Sequence, residues 1–336
     1  PSRGLGDVYK RQIQYHMKSV DIFICTKPLQ YINLCNIPTD ESNSKILIII
    51  DAFYKASEFS KYIENNEHQW SKVIFLKRIN TFYKIFRYRW LFFVLFYNVD
   101  KLYYSLDSTV IGLLHFIKRF KFFLYEEGAG TYRKQRIQNK YKAIAKMFGT
   151  SEIMGSSKYI KGAFVYYPDY YKSQIAPSCP ISRFKLSYRE TIRQMAKKFL
   201  CLYDLDSQNE EFLKMKDSTI LLYITDWEIQ HSTISQMENL RNEYDYLFIK
   251  PHPHIRIKNM PNILGVEVLY TNLIVEIIID TWLKNNNRVT VLHQDSTAVT
   301  PFGNEIKSIN VSETPHCEYR EIIENLTRLS CLNGKN

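Results

Sequence analysis

The chain is written in short apolar runs that stop abruptly. VDIFIC (20–25), KILIII (45–50), KVIFL (72–76), KLYYS (101–105) and KFFLY (121–125) are rich in β-branched and aromatic residues and bounded by polar ones. A run without polar alternation is buried on both faces, as in a strand inside a parallel sheet. The stretches 54–66 and 108–119 between them have helical spacing, and such alternation builds a doubly wound sheet. A second series follows at TILLYIT (219–225), YLFIK (246–250), VEVLY (266–270), RVTVLH (288–293) and EIKSIN (305–310). The expected architecture is α/β, with two Rossmann-like domains facing across a cleft, at 13–204 and 205–336. Between the two series, GSSKYIKGAFVYYPDYY reads as loops and short strands, 188–203 as a helix, and 205–218 as a surface helix or linker.

Residues 1–12 stand apart. DVYKRQ resembles the translated end of a transposon used in sequencing libraries, so PSRGLGDVYKRQ is set aside as a scar and MKSVDIFIC, from Met17, is expected to be the natural start. Without the scar the net charge falls from +11 to +9. A basic balance suits nucleic acid, an anionic membrane surface or an anionic small substrate, but no nucleic-acid-binding signature accompanies it. Six cysteines without paired spacing suggest reduced thiols and a cytoplasmic protein. WLFFVLFYNV (90–99) is too short to span a bilayer and reads as a core element, or as an interfacial anchor that would place the protein peripherally on the inner membrane.

Neither half carries GxGxxG or a Walker loop. Ligands of open α/β sheets bind outside the carboxyl ends of the strands, which selects five places. Thr26 and Pro28 follow the first strand, where a helix start would bind an anion or a sugar hydroxyl, or simply connect strand to helix. Glu126 and Glu127 end the fifth strand and must point in opposite directions, one to the cleft and the other to the surface or a neighbouring backbone. Beside Gly128 and Gly130 a carboxylate would serve as general base on a substrate hydroxyl, unless the pair is a solvated turn. IKPHPHIRIK (249–258) gathers Lys250, His252, His254, Arg256 and Lys258, with Pro251 and Pro253 stiffening the chain around His252; this suits a phosphate or a basic surface loop. No acid or cysteine follows at a metal-ligand spacing. Glu276 interrupts an apolar run and needs a partner, a ribose or a salt bridge, unless it lies on an exposed helix face. Ser296 and Thr297 open a helix for which Asp295 is the expected cap, making a phosphate site or a routine helix start.

Taken in order, IFICTKPLQYINL (22–34), EEG (126–128), the His252–Pro253 pair, Glu276 and Ser296–Thr297 resemble a bacterial sialyltransferase of the GT-B fold, most like glycosyltransferase family 52, the lipooligosaccharide sialyltransferases. The resemblance extends over most of the chain from Met17. It implies inverting transfer of sialic acid from CMP-sialic acid to a glycan or glycolipid acceptor, with no metal ion and no cofactor beyond that donor. By the same resemblance Glu126 or Glu127 is the base and His252 stabilises or protonates the departing phosphate. Ser296 and Thr297 hold that phosphate, and Glu276 binds the cytidine ribose. The N-terminal domain takes the acceptor side and the C-terminal domain the donor. A homodimer and peripheral membrane contact are compatible with it; nucleic acid is not an expected partner. The rival readings are a GT-B transferase using another CMP- or CDP-activated donor, such as Kdo or glycerophosphate, and a basic non-catalytic binding protein.

Overall fold

The computed structural model describes residues 19–39, 42–53, 55–77, 89–135, 142–202, 211–226, 229–252, 265–271, 273–312 and 317–333. Residues 1–12, Met17, Pro253, His254, Arg256 and Lys258 lie outside the described residues. The chain divides into two compact units, Pro1–Glu127 with Lys134–Lys185, and Gly128–Arg133 with Leu186–Asn336.

In the first unit, β1 (Val20–Cys25), β2 (Ser44–Ile50), β3 (Lys72–Leu76), β4 (Val99–Tyr104), β5 (Lys121–Tyr125), β6 (Ile160–Val165) and β7 (Ile181–Arg183) form a sheet ordered β3-β2-β1-β4-β5-β6-β7. Every pairing in it is parallel. Each residue of β1 is buried, as expected of a central strand with helices on both faces. The helices are α1 (Pro28–Cys35), α2 (Ala56–Asn66), α3 (Trp90–Phe96), α4 (Thr109–Ile117), α5 (Lys142–Met147) and α6 (Pro168–Ile175). Strand order grows one way from β1 to β3 and the other way from β4. Right-handed crossovers therefore put α1 and α2 on one face and α3 and α4 on the other.

The second unit carries β8 (Thr219–Ile224), β9 (Tyr246–Lys250), β10 (Glu267–Val268), β11 (Arg288–His293) and β12 (Lys307–Asn310) in the order β10-β9-β8-β11-β12, again all parallel. Its helices are α7 (Tyr188–Leu202), α8 (Glu211–Lys214), α9 (His231–Asn239), α10 (Val275–Lys284) and α11 (Cys317–Asn333).

Several expectations need correction. The segment read as loops and short strands holds β6, a nearly fully buried sheet strand, and then α6, because Pro168 sits at the first helical position, where its missing N–H costs nothing. The run at 266–270 pairs only over Glu267–Val268, and residues before Lys307 form a 3₁₀ turn, Gly303–Glu305. WLFFVLF is a helix that buries Trp90 and Val94 but leaves Phe92 and Phe96 outside, so it is core on one face only.

Helix α7, which the sequence reading leaves in the first half, belongs to the second unit and is tied to α10 by charge. Arg189 Nη1 lies 2.5 Å from Asp280 Oδ1, and its Nε and Nη2 donate to the two carboxylate oxygens of Glu305 at 2.7 and 3.0 Å. Asp280 is fully buried and also 2.7 Å from Lys284. Removing one partner of a buried pair strands the other charge, at a cost of about 3–5 kcal/mol. Arg189→Ala is therefore expected to lower stability in urea by that amount; a loss under about 1 kcal/mol would mean that Lys284 and Arg193, which lie 2.7 and 4.0 Å from the carboxylate, neutralise Asp280 between them.

Candidate functional site

Both sheets reverse their strand order once, between β1 and β4 and between β8 and β11. The carboxyl ends of strands at such a reversal splay apart and leave room for a ligand. The chemistry-bearing residues collect at these ends in each unit.

In the first unit the organising side chain is Gln30, buried on α1. Its Oε1 accepts from Thr26 N–H at 2.7 Å and from the Thr26 hydroxyl at 2.9 Å, just after β1. Its Nε2 donates to Ser105 Oγ at 3.0 Å, after β4, and to Glu127 Oε2 at 2.7 Å, after β5. Ser105 Oγ also donates to Glu127 Oε2 at 3.1 Å, and Lys27 Nζ is 3.7 Å from Glu127 Oε1. One amide thus ties three strand ends together and fixes the Glu127 carboxylate, whose side chain remains 26% accessible. Thr26 and Glu127 share this network.

Glu126 points the other way, as strand alternation requires. It is 2% exposed, its Oε2 accepts from the Tyr166 amide at 2.8 Å, and its carbonyl accepts from Asn33 Nδ2 at 2.7 Å. Tyr166 OH in turn donates to Asn33 Oδ1 at 2.7 Å. Of the two acids, Glu126 fastens the end of β6 to α1, and Glu127 is the one left accessible to solvent.

In the second unit, Gly128 has φ +137°, a conformation open to glycine and strained for other residues. A Cβ there would stand 3.4 Å from the Thr297 hydroxyl. Thr297 begins a three-residue 3₁₀ turn, Thr297–Val299, capped by Ser296, whose Oγ accepts from Ala298 N–H at 3.3 Å. The expected cap, Asp295, instead adopts a left-handed φ of 49° and accepts from Asn310 Nδ2 at 2.6 Å. His252 is held at the β8 and β9 ends by its amide, which donates to Thr225 Oγ1 at 2.9 Å. Lys250 Nζ donates to the Thr271 carbonyl at 2.6 Å, and burial pushes its ammonium down to about 8.

Glu276 lies in the first turn of α10, where the helix dipole favours an acid. It is buried, and among the described residues no cation pairs with it: Tyr188 OH is 3.4 Å from Oε1, and burial raises its carboxyl. The charge in that apolar run with the strong ion pairs is Asp280, one turn later.

Neither Gln30 nor Ser105 stands out in the sequence, although both lie within or beside the strand-end segments named above. The side chain of His293 is equally inconspicuous in the sequence. That imidazole is buried, accepts from Ser296 N–H through Nδ1 at 3.2 Å and therefore carries its proton on Nε2, 2.9 Å from Ser308 Oγ. Among the described residues no group of three or more His, Cys, Asp or Glu could hold a metal ion.

Burial pushes His293 from 6.5 down to about 4, with Asp295 opposing and Arg320 adding to the shift. Between those values the unfolded chain binds a proton that the fold refuses, so stability is fully present above pH 6.5 and falls as the pH drops toward 4. From pH 7 to pH 5 the His293 contribution to that loss is roughly 2 kcal/mol. Urea unfolding at both pH values is expected to show a smaller acid loss in His293→Gln by this amount; identical pH dependence would contradict it.

No protein-family model matches the chain, and no curated protein matches it. Among solved structures it is similar to UDP-GlcNAc 2-epimerase from Neisseria meningitidis bound to UDP-GlcNAc, at 13% identity and TM-score 0.51, over 93% of this chain and 91% of that one. It is also similar to the N-terminal domain of Candida albicans trehalose-6-phosphate phosphatase, at 9% identity and TM-score 0.43, over 93% of each chain. The fold is thus a mixed α/β architecture of parallel sheets with a GT-B-like neighbour.

Proposed function

We propose that the protein is a nucleotide-sugar-using transferase, and specifically an inverting sialyltransferase acting from CMP-sialic acid on a glycan hydroxyl. The observation that carries the reading is the Glu127 carboxylate, held by Gln30 and Ser105 at the strand-order reversal of the first sheet. A general base must be fixed within reach of the proton it takes, yet open to substrate, and Glu127 meets both demands where Glu126 does not. The fold shared with an enzyme whose crystal structure contains UDP-GlcNAc supports a nucleotide sugar as ligand.

In this reaction Glu127 takes the proton of the acceptor hydroxyl as its oxygen attacks the anomeric carbon. The bond from that carbon to the CMP phosphate oxygen breaks with inversion, and the electron pair leaves on the phosphate. The groups suited to a donor nucleotide are residues of the second unit, taken by itself. Ser296 and Thr297 offer hydroxyls, and Gly128, lacking a Cβ, keeps the space beside Thr297 open. His252 stabilises or protonates the leaving phosphate, Lys250 adds positive charge, and Glu276 is the ribose acceptor. Charge that develops on the phosphate is met by these fixed groups.

Calorimetric titration with CMP and UDP, followed by turnover of CMP-sialic acid, tests the reading. CMP is expected to bind, and Glu127→Gln to lower kcat by roughly 10²–10⁴ while leaving CMP affinity unchanged. Glu126→Gln is expected to show its main effect in thermal stability, because its carboxylate holds a backbone amide. Binding of UDP alone would overturn the CMP donor and favour chemistry like that of the epimerase; an unchanged kcat in Glu127→Gln would remove the base.

A further inference from the structure

Large hydrophobic side chains exposed to solvent are concentrated in one place. Of the eleven found among the described residues, eight lie on α3, α4 and α5 of the first unit. Phe96 is 83% exposed, Phe116 and Met147 67%, Ile117 62% and Phe92 59%. These helices are neighbours. Lys118, at the end of α4, donates to the carbonyls of Leu95 and Tyr97 at the end of α3, and Phe116 packs edge-on against Phe148, just beyond α5, with centroids 5.9 Å apart. The apolar surface is therefore continuous, and a patch of this kind on a soluble face marks contact with something.

Its charge says with what. None of the three helices contains an acidic residue, whereas Lys142 and Lys146 lie on α5 and Lys118, Arg119 and Lys121 follow α4. Lys121 and Lys142 are paired, with Asp100 at 3.0 Å and Glu152 at 3.1 Å, while Arg119 and Lys146 are exposed. A second copy seated on this face would bring like charges toward one another; a sheet of negative headgroups would attract them. No helix among the described residues is long and apolar enough to cross a membrane, so the contact is with the surface.

We propose that the face formed by α3, α4 and α5 docks on an anionic lipid bilayer. Its aromatic and aliphatic side chains enter the boundary between headgroups and acyl chains, and the surrounding lysines and arginines meet the lipid phosphates. This docking is independent of which reaction the protein runs.

Co-sedimentation of the full chain with phosphatidylcholine vesicles, with and without phosphatidylglycerol, tests it. The protein is expected to bind the phosphatidylglycerol vesicles more tightly, to be released by high salt, and to lose affinity at least roughly tenfold in the Phe96→Ser, Phe116→Ser double variant. Both substitutions are at exposed positions, and circular dichroism checks the fold. A charge variant, Arg119→Glu with Lys146→Glu, is expected to abolish the preference for the anionic vesicles even if the first variant fails to fold. Failure of the wild-type protein to bind, or equal binding by a folded double variant, would overturn the proposal. So would a wild-type dimer that the double variant dissolves, because the occupant would then be a second copy.

Discussion

The amide of Gln30 is the interaction on which the carboxyl edge of the first unit's sheet depends. A primary amide has two donors and an acceptor, and here all are used, on partners that follow three different strands. A buried polar group left unmatched costs about 1–3 kcal/mol, so the arrangement is all-or-none: the strand ends are held in one register or the amide is stranded. Asn33, three residues on and thus on the same side of α1, repeats the device between the Glu126 carbonyl and Tyr166. The helix packs against its sheet with a polar stripe where an ordinary core helix would carry leucines, and that stripe aims the two acids.

The second unit fixes its edge differently, through consecutive residues of one turn. His293 binds Ser296 and Ser308, Gln294 accepts from Tyr223 OH and the Asp226 amide, Asp295 accepts from Asn310, and Ser296 caps the turn that follows. Left-handed backbone at a non-glycine residue such as Asp295 is a small strain, tolerated more readily by aspartate than by most residues and held by its neighbours. A turn pinned at every residue is preorganised, with little ordering left to lose.

The strands were readable because burial on both faces leaves an uninterrupted apolar run, and KVIFL, KFFLY, YLFIK and RVTVLH coincide with β3, β5, β9 and β11 to the residue. The opposed directions of Glu126 and Glu127 were readable from strand alternation, but which acid is held inside depends on Tyr166 and Asn33, distant in sequence. Gln30 and Asn33 were illegible for the same reason: a glutamine on a short helix looks like a solvated face until its partners are known. Helix α6 was hidden because Pro-Asp-Tyr-Tyr serves a turn and a helix start equally well. Asp295 and Ser296 are both good caps, and only the left-handed backbone at Asp295 decides for Ser296.

The chain passes from the first unit to the second between Glu127 and Gly128, returns after Arg133, and passes again after Lys185. The six borrowed residues are not passengers: Gly128 fits against Thr297, and Arg133 lies 3.5 Å from Glu318 and over the ring of Tyr319. Neither unit is therefore a contiguous stretch of gene. Cutting the chain after Lys185 would yield a C-terminal fragment missing a piece of its own surface and an N-terminal fragment carrying that piece as an orphan loop. In evolutionary terms the two halves are poor modules for shuffling: an exchange of one for a foreign half would have to respect a division that crosses the sequence three times.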